Sequence, residues 1–76
     1  MKPFLLLDPD TGKIEEFNKG DIIIQVGGMH RYKVTGTWDL GIWARKVGSK
    51  ERSDKLIHAD RLSRENWITI ERAKKK

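Results

Sequence analysis

The chain has 76 residues, which is the size of one small domain and leaves no room for a separate regulatory domain. It has no cysteine, which excludes disulfides, zinc–thiolate sites and thiol nucleophiles and favours a cytoplasmic location. The net charge of +5 is segregated, since residues 29–55 hold seven basic and three acidic side chains and residues 72–76 hold four more basic ones. Such a distribution favours an acidic partner, although a solvated hairpin with a solubility tail would carry the same charge.

The N-terminal residues predict a β-hairpin. Residues 4–7 are a short apolar run, residues 8–12 contain the aspartates, proline and glycine of a tight turn, and residues 13–17 follow as a second strand. We expect this hairpin, residues 3–17, to close or extend a larger sheet. No apolar run reaches the length of about 18 residues that a bilayer requires, so no membrane partner is expected.

Five further strands are predicted in the rest of the chain. They are residues 21–26, 29–35, 41–47, 55–58 and 66–71, with a loop at residues 36–41 and a single helical turn at residues 59–63. Because no long segment keeps a helical period of apolar residues, the fold class is predicted to be all-β.

The pairing of residues 29–35 with residues 41–47 decides which side chains share a face. The predicted register sets Lys33 opposite Trp43, Val34 opposite Ile42, Tyr32 opposite Ala44 and Arg31 opposite Arg45. It places apolar residues on one face and basic and aromatic residues on the other, and this agreement supports the pairing.

The order of these elements resembles the Src-homology-3-like small barrel over about residues 20–72. Residues 19–23, Lys-Gly-Asp-Ile-Ile, resemble its Gly-Asp-x-Val opening, and residues 41–45, Gly-Ile-Trp-Ala-Arg, resemble the Trp-x-Ala-Arg third strand of peptide-binding members. The resemblance implies a single five-stranded barrel with an additional N-terminal hairpin and a one-turn 3₁₀-helix before the last strand. Residues 1–72 would form this domain, with a basic tail at residues 73–76. The aromatic and acidic ligand-binding residues of the peptide binders have no counterpart, so polyproline recognition is not expected.

Cations around an exposed tryptophan form the candidate binding site. A nucleic acid needs cations to displace counterions from its phosphates, and a flat aromatic ring offers a surface for base stacking or a wedge between base steps. The predicted site comprises Arg31, Lys33, Trp43 and Arg45 on one outer face, with Lys46, Lys50, Arg52 and Lys55 around its far end. We therefore expect a non-enzymatic nucleic-acid-binding protein whose residues 74–76 add long-range attraction to DNA or RNA.

Two other interpretations of the same face stay open. Trp43 and its cationic neighbours could form a cross-strand cation–π pair that has no partner. Alternatively, the face could meet an acidic protein surface, which would make the chain a protein-interaction module, such as a phage-like accessory protein docking on a host protein or a larger assembly. We expect a monomer or a weak homo-oligomer, because an exposed sheet edge can pair with its copy.

The remaining aromatic residues are predicted to be structural. Trp38 lies in the presumed loop, and we expect it to tuck over the barrel end rather than to be displayed. Trp67 is opposite in phase to Ile68 and Ile70, so one of these two sets faces outward. If Ile68 and Ile70 are in the core, we expect Trp67 to be covered by the N-terminal hairpin. Tyr32 is expected to lie in the core with its hydroxyl at the rim.

No catalytic, cofactor or metal site is predicted. His30 and His58 lack the spacing of metal ligands, and the serines lie in polar turns without a nucleophile elbow. Glu15 and Glu16 are adjacent strand residues that point to opposite faces, so they do not form a two-carboxylate site.

Overall fold

The computed structural model of the protein describes residues 2–48, 50 and 53–73. Its elements are β1 (Phe4–Leu7), β2 (Ile14–Phe17), β3 (Ile22–Gln25), β4 (Arg31–Trp38), β5 (Gly41–Lys46), β6 (Lys55–His58), α1 (Ala59–Arg64) and β7 (Trp67–Glu71). The all-β prediction is confirmed, and every predicted strand occurs close to its predicted position. The helix before the last strand is also found, but it is a six-residue α-helix and not a 3₁₀ turn. No helix among the described residues is long and apolar enough to cross a membrane.

The strands form two antiparallel sheets. β1 pairs with β2, and the other five strands are arranged in the order β6-β5-β4-β3-β7. Within the described residues β6 and β7 are the edges of the larger sheet and do not pair with each other, so the expected barrel closure is not found. The N-terminal hairpin forms a sheet of its own, so the expectation that it closes or extends the larger sheet is wrong.

Side chains of β2 lie along the free edge of β7. The backbone N–H of Thr69 donates to Glu15 Oε1 at 3.5 Å, and the Thr69 hydroxyl donates to the carbonyl oxygen of Glu16 at 3.4 Å. Arg72 Nη1 also reaches the carboxylate of Glu16 at 3.3 Å. Because these contacts occupy the β7 edge, β2 is held beside the sheet without a backbone ladder.

The hydrophobic core covers one face of the five-stranded sheet, which we call the inner face. The sheet contributes Ile23, Val34, Ile42, Ala44, Ile57 and Trp67 to this core. Phe4 and Phe17 of the hairpin and Leu62 of α1 complete it from the other side. Burial of this apolar surface, at about 25 cal/mol per Å², is the main favourable contribution to stability. The opposite, outer face has no packed layer in the described part of the chain.

The hairpin between β4 and β5 differs from the predicted one. Its turn is only two residues long, Asp39 and Leu40, because Trp38 pairs with Gly41. The register then shifts between Val34 and Gly36, where Thr35 is an extra residue of a β-bulge.

The predicted pairing of this hairpin is therefore wrong. Lys33 lies opposite Arg45, and Trp43 lies opposite Gly36. The alternation of residues along β5 is nevertheless as predicted, because pairing register and facing direction are separate properties of a strand.

Gly41 lies where the backbone of β5 packs tightly against that of β6. A Cβ atom at this position would collide with the carbonyl oxygen of Ile57 and lie 3.0 Å from His58 Cα. At Gly36, by contrast, the nearest atom to an added Cβ is Trp43 Cδ1 at 3.7 Å, an ordinary contact.

We predict that Gly41→Ala lowers the free energy of unfolding by about 2 kcal/mol or more, because the backbones must separate. The matched control Gly36→Ala should change it by less than about 0.5 kcal/mol. Urea unfolding followed by circular dichroism measures both values, and equal losses in the two variants would contradict the observed β5–β6 packing.

Glu65 couples the end of α1 to the core. The indole N–H of Trp67 donates a hydrogen bond of 2.9 Å to Glu65 Oε1. This bond, with smaller contributions from Arg61 and Arg64, lowers the pKa of Glu65 from its ordinary value of 4.5. The folded chain therefore favours the ionised carboxylate, and the resulting stabilisation is present above the ordinary pKa and lost as pH falls through the lowered one.

We predict that Glu65→Gln removes part of the loss of stability that occurs as the pH falls below 4.5. The urea midpoint measured in steps from neutral to acidic pH tests this, with Glu71→Gln as the matched variant on the exposed end of β7. The coupling is refuted if both substitutions change the acid dependence equally.

Candidate nucleic-acid interface

β5 divides its side chains between the core and the solvent. Ile42 and Ala44 are fully buried, whereas Trp43 keeps 40% of its surface exposed. Arg45 is partly exposed on the same face as Trp43, because side chains two residues apart share a face of a strand. The predicted phase of this strand is thus confirmed, with its indole and guanidinium on the outer face.

Lys33 and Arg45 form a directly opposed pair of cations on β4 and β5. Like charges at such positions repel each other across a sheet. Asp54 offsets part of this repulsion, since its Oδ1 accepts a hydrogen bond from Arg45 Nε at 3.0 Å and lies 2.8 Å from Arg45 Nη2. Lys33 has no such ion pair among the described residues, so the pair retains an excess of positive charge.

These two side chains line a groove of about 790 Å³, which we call the basic groove. Its charged lining residues are Lys19, Lys33, Arg45 and Lys46, and Gly20 and Gly48 line it beside them. No carboxylate side chain is among the described residues that line it. A groove lined by four cations and no carboxylate attracts an anionic ligand, which would compete with Asp54 for Arg45.

The wall of the basic groove includes the bulge residue Thr35. Its hydroxyl oxygen is buried and has no hydrogen-bond partner within the described part of the chain. Buried polar atoms normally find a partner, so the bulge leaves one buried hydroxyl unpaired beside the groove.

Asp21 fixes the turn that carries Lys19 and Gly20. Its fully buried carboxylate accepts a hydrogen bond from the backbone N–H of Asn18 at 2.9 Å and another from that of Ala73 at 2.7 Å. The N–H of Gly20 in turn donates to the carbonyl oxygen of Val34 at 2.8 Å. One carboxylate therefore ties the β2–β3 turn to the segment after β7, and both border the basic groove.

The other predicted cations are distributed around this groove. Arg31 is exposed on the outer face at the start of β4, but it is not a lining residue. Lys46 lies opposite Tyr32, at a position that alternation assigns to the inner face. It nevertheless lines the groove, because it is the last residue of β5. Lys50 is exposed after β5. Arg52 and residues 74–76 lie outside the described residues.

Lys55 is placed differently from its predicted role. Its Nζ atom lies 5.9 Å from the centroid of the Tyr32 ring, on the inner-face side of the sheet. In the described part of the chain a cation–π contact is found at Tyr32, and none is found at Trp43. The indole of Trp43 is thus not covered by such a contact.

Exposed apolar side chains surround Trp43 on the outer face. Leu56 lies directly opposite it on β6 and is 38% exposed. Trp38 is 37% exposed, in contrast to the burial that we expected. Its ring centroid lies 6.1 Å from that of His58, in an edge-to-face arrangement. The short turn explains the difference, because it places Trp38 in β4 and not in a loop that could fold over the core.

The structure decides between the two phases that were left open for the last strand. Ile68 and Ile70 are exposed, while Trp67 is buried on the inner face. The ring centroids of Trp67 and Tyr32 are 5.2 Å apart in an edge-to-face arrangement. Trp67 is thus covered, as expected, but as a core residue of the sheet. Tyr32 is partly buried and packs against this core.

Sequence reasoning missed Lys19 and the role of Asp21. Both lie in the segment 18–21, which has the composition of a turn and immediately precedes a strand. The available signal was an acidic residue at the boundary between a turn and a strand, where a carboxylate often bonds to nearby backbone N–H groups. The hydrogen bond between Asp21 and the backbone N–H of Ala73, 52 residues away, depends on tertiary structure and has no local signal.

Comparison of the chain with known protein families, curated proteins and solved structures gives no match.

We predict that Asp21→Ala lowers the free energy of unfolding by about 3 kcal/mol, because two backbone N–H groups lose their buried acceptor. Asp54→Ala, which breaks an exposed ion pair, should cost less than about 1 kcal/mol. Urea unfolding gives both values. Equal costs would show that Asp21 does not hold the two segments together.

Proposed function

We propose that this chain is a non-enzymatic nucleic-acid-binding protein. The observation that carries the proposal is the basic groove, in which Lys33 and Arg45 occupy directly opposed strand positions and Lys19 and Lys46 join them. Phosphates of DNA or RNA would enter this groove, and Trp43 on the adjoining outer face would contact a base. Binding of this kind is driven by the release of condensed counterions and therefore weakens steeply with salt.

The repulsion between Lys33 and Arg45 supports an anionic ligand. Opposed like charges destabilise a sheet by a few tenths of a kcal/mol or more, and a bound phosphate would convert this repulsion into two favourable contacts. Asp54 already holds Arg45, so the ligand must compete with that carboxylate for one of the two cations.

A protein-interaction module is a second candidate function. It is favoured by the exposed Trp38, Trp43 and Leu56, which form a patch of apolar surface beside the cations. An acidic protein with an apolar anchor would complement such a patch, as in interfaces where aromatic residues supply most of the binding energy.

We also propose a fold relationship, a location and an oligomeric state. The Src-homology-3-like resemblance is supported by the element order, with a short helix between the last two strands of the larger sheet. A cytoplasmic location is supported by the absence of cysteine. A monomer or weak homo-oligomer is consistent with the exposed edge strand β6.

We predict that Lys33→Ala weakens oligonucleotide binding roughly five-fold, about 1 kcal/mol, and reduces the slope of log K against log salt by about 1. The effect should be similar for all base sequences, because the contact is to phosphate. Lys13→Ala is the matched control, since it removes the same charge from the β1–β2 hairpin, outside the groove lining. Fluorescence anisotropy of labelled oligonucleotides at several salt concentrations measures these quantities.

Asp54→Asn should tighten binding, because it frees Arg45, whereas Asp10→Asn in the β1–β2 turn is the control for loss of an acidic charge. No binding of any oligonucleotide at low salt would refute the nucleic-acid proposal. Equal weakening by Lys33→Ala and Lys13→Ala would refute the groove as its site.

A further inference from the structure

We infer that the ligand is a single-stranded nucleic acid, with an unpaired base on Trp43 and the adjacent phosphate in the basic groove. This inference rests on the proposed function and names the form of nucleic acid that the outer face fits.

Gly36 and Leu56 shape the position of Trp43. Gly36 lies opposite it on β4 and has no side chain, and the Cδ1 atom of the indole lies 3.7 Å from where a Cβ of Gly36 would be. Leu56 lies opposite it on β6 and is itself exposed. The indole is therefore supported by the sheet on the β4 side, has an apolar neighbour on the β6 side, and keeps 40% of its surface open to solvent.

The spacing of Trp43 and Arg45 along β5 suits one nucleotide. Arg45 follows Trp43 by two residues on the same face of β5, which separates their Cα atoms by roughly 7 Å. Lys33 lies directly opposite Arg45. A base and its own phosphate are separated by a comparable length, so a nucleotide stacked on Trp43 would place its phosphate between the two cations.

The charge around Trp43 is one-sided. Toward the basic groove its outer-face neighbours are Lys33 and Arg45, the second of which is paired with Asp54. In the other direction the outer-face positions of β4, β5 and β6 are Trp38, Gly41 and His58. A duplex presents a phosphate strand on each side of a groove, so a protein that wedges an aromatic residue into it gains from cations on both sides. A single strand needs one track of cations beside a stacking surface, which is the arrangement on this face.

The test compares three ligands of the same length, about 12 nucleotides, at one low salt concentration. They are oligo(dT), a mixed-sequence duplex and an abasic single strand that keeps the phosphates but lacks the bases. We expect oligo(dT) to bind the wild-type chain about ten-fold or more tightly than either of the others and to quench tryptophan fluorescence.

Substitutions of Trp43 locate the stacking residue. Trp43→Ala should weaken oligo(dT) binding about ten-fold and leave binding of the abasic strand unchanged, since the abasic strand has no base to stack on the indole. Trp43→Phe should retain most of the affinity. Trp38→Ala, which removes another exposed tryptophan from the outer face, is the matched control and should have less effect than Trp43→Ala.

The outcomes separate this inference from the proposed function. Equal binding of duplex and single strand, or equal binding of oligo(dT) and the abasic strand, would overturn the single-strand inference and leave a phosphate-binding groove. A wild-type preference for oligo(dT) that survives in Trp43→Ala would remove Trp43 as the stacking residue. No binding of any of the three ligands would refute the proposed function itself.

Discussion

The structure depends on the fact that only one face of the five-stranded sheet is covered. The N-terminal hairpin and α1 supply Phe4, Phe17 and Leu62 to a single apolar layer, and the described residues place no second layer on the other side. Because the side chains of a strand alternate, β5 must then send Ile42 and Ala44 into the core and Trp43 and Arg45 to the solvent. The chemistry of the exposed face is therefore a direct consequence of how the core is built.

The basic groove is a second consequence of the same arrangement. Its lining residues come from the β2–β3 turn, from β4 and β5, and from the segment after β7, which are distant in the sequence. The buried carboxylate of Asp21 joins the first and last of these through two backbone N–H groups. The opposed cations Lys33 and Arg45 are held together by the β4–β5 ladder. The fold thus fixes the positions of these cations, and a phosphate that binds Arg45 competes with the carboxylate of Asp54.

Local sequence patterns predict the strands and the phase of β5, because alternation and turn residues are local signals. They do not predict the register of β4 on β5, since the bulge at Thr35 shifts it and Thr35 is an ordinary strand residue by composition. The burial of Trp67 in place of Ile68 and Ile70 likewise depends on which face of the sheet the hairpin covers. The failure of the five strands to close into a barrel also depends on tertiary structure. Of the candidate site, Lys33, Arg45 and Lys46 are predicted to share a site and do share the groove, while Lys19 joins them only through tertiary structure.

The central claim is that a nucleic acid occupies the basic groove and the adjoining outer face of β5. The most direct measurement is a titration of isotope-labelled protein with oligo(dT) at low salt, followed by two-dimensional amide and indole NMR spectra. We expect the signals of the Trp43 indole and of the Lys19, Lys33 and Lys46 backbone amides to shift together, while the Trp67 indole and the amides of β1 stay in place. Shifts confined to the N-terminal hairpin, or no shifts at all, would contradict the account.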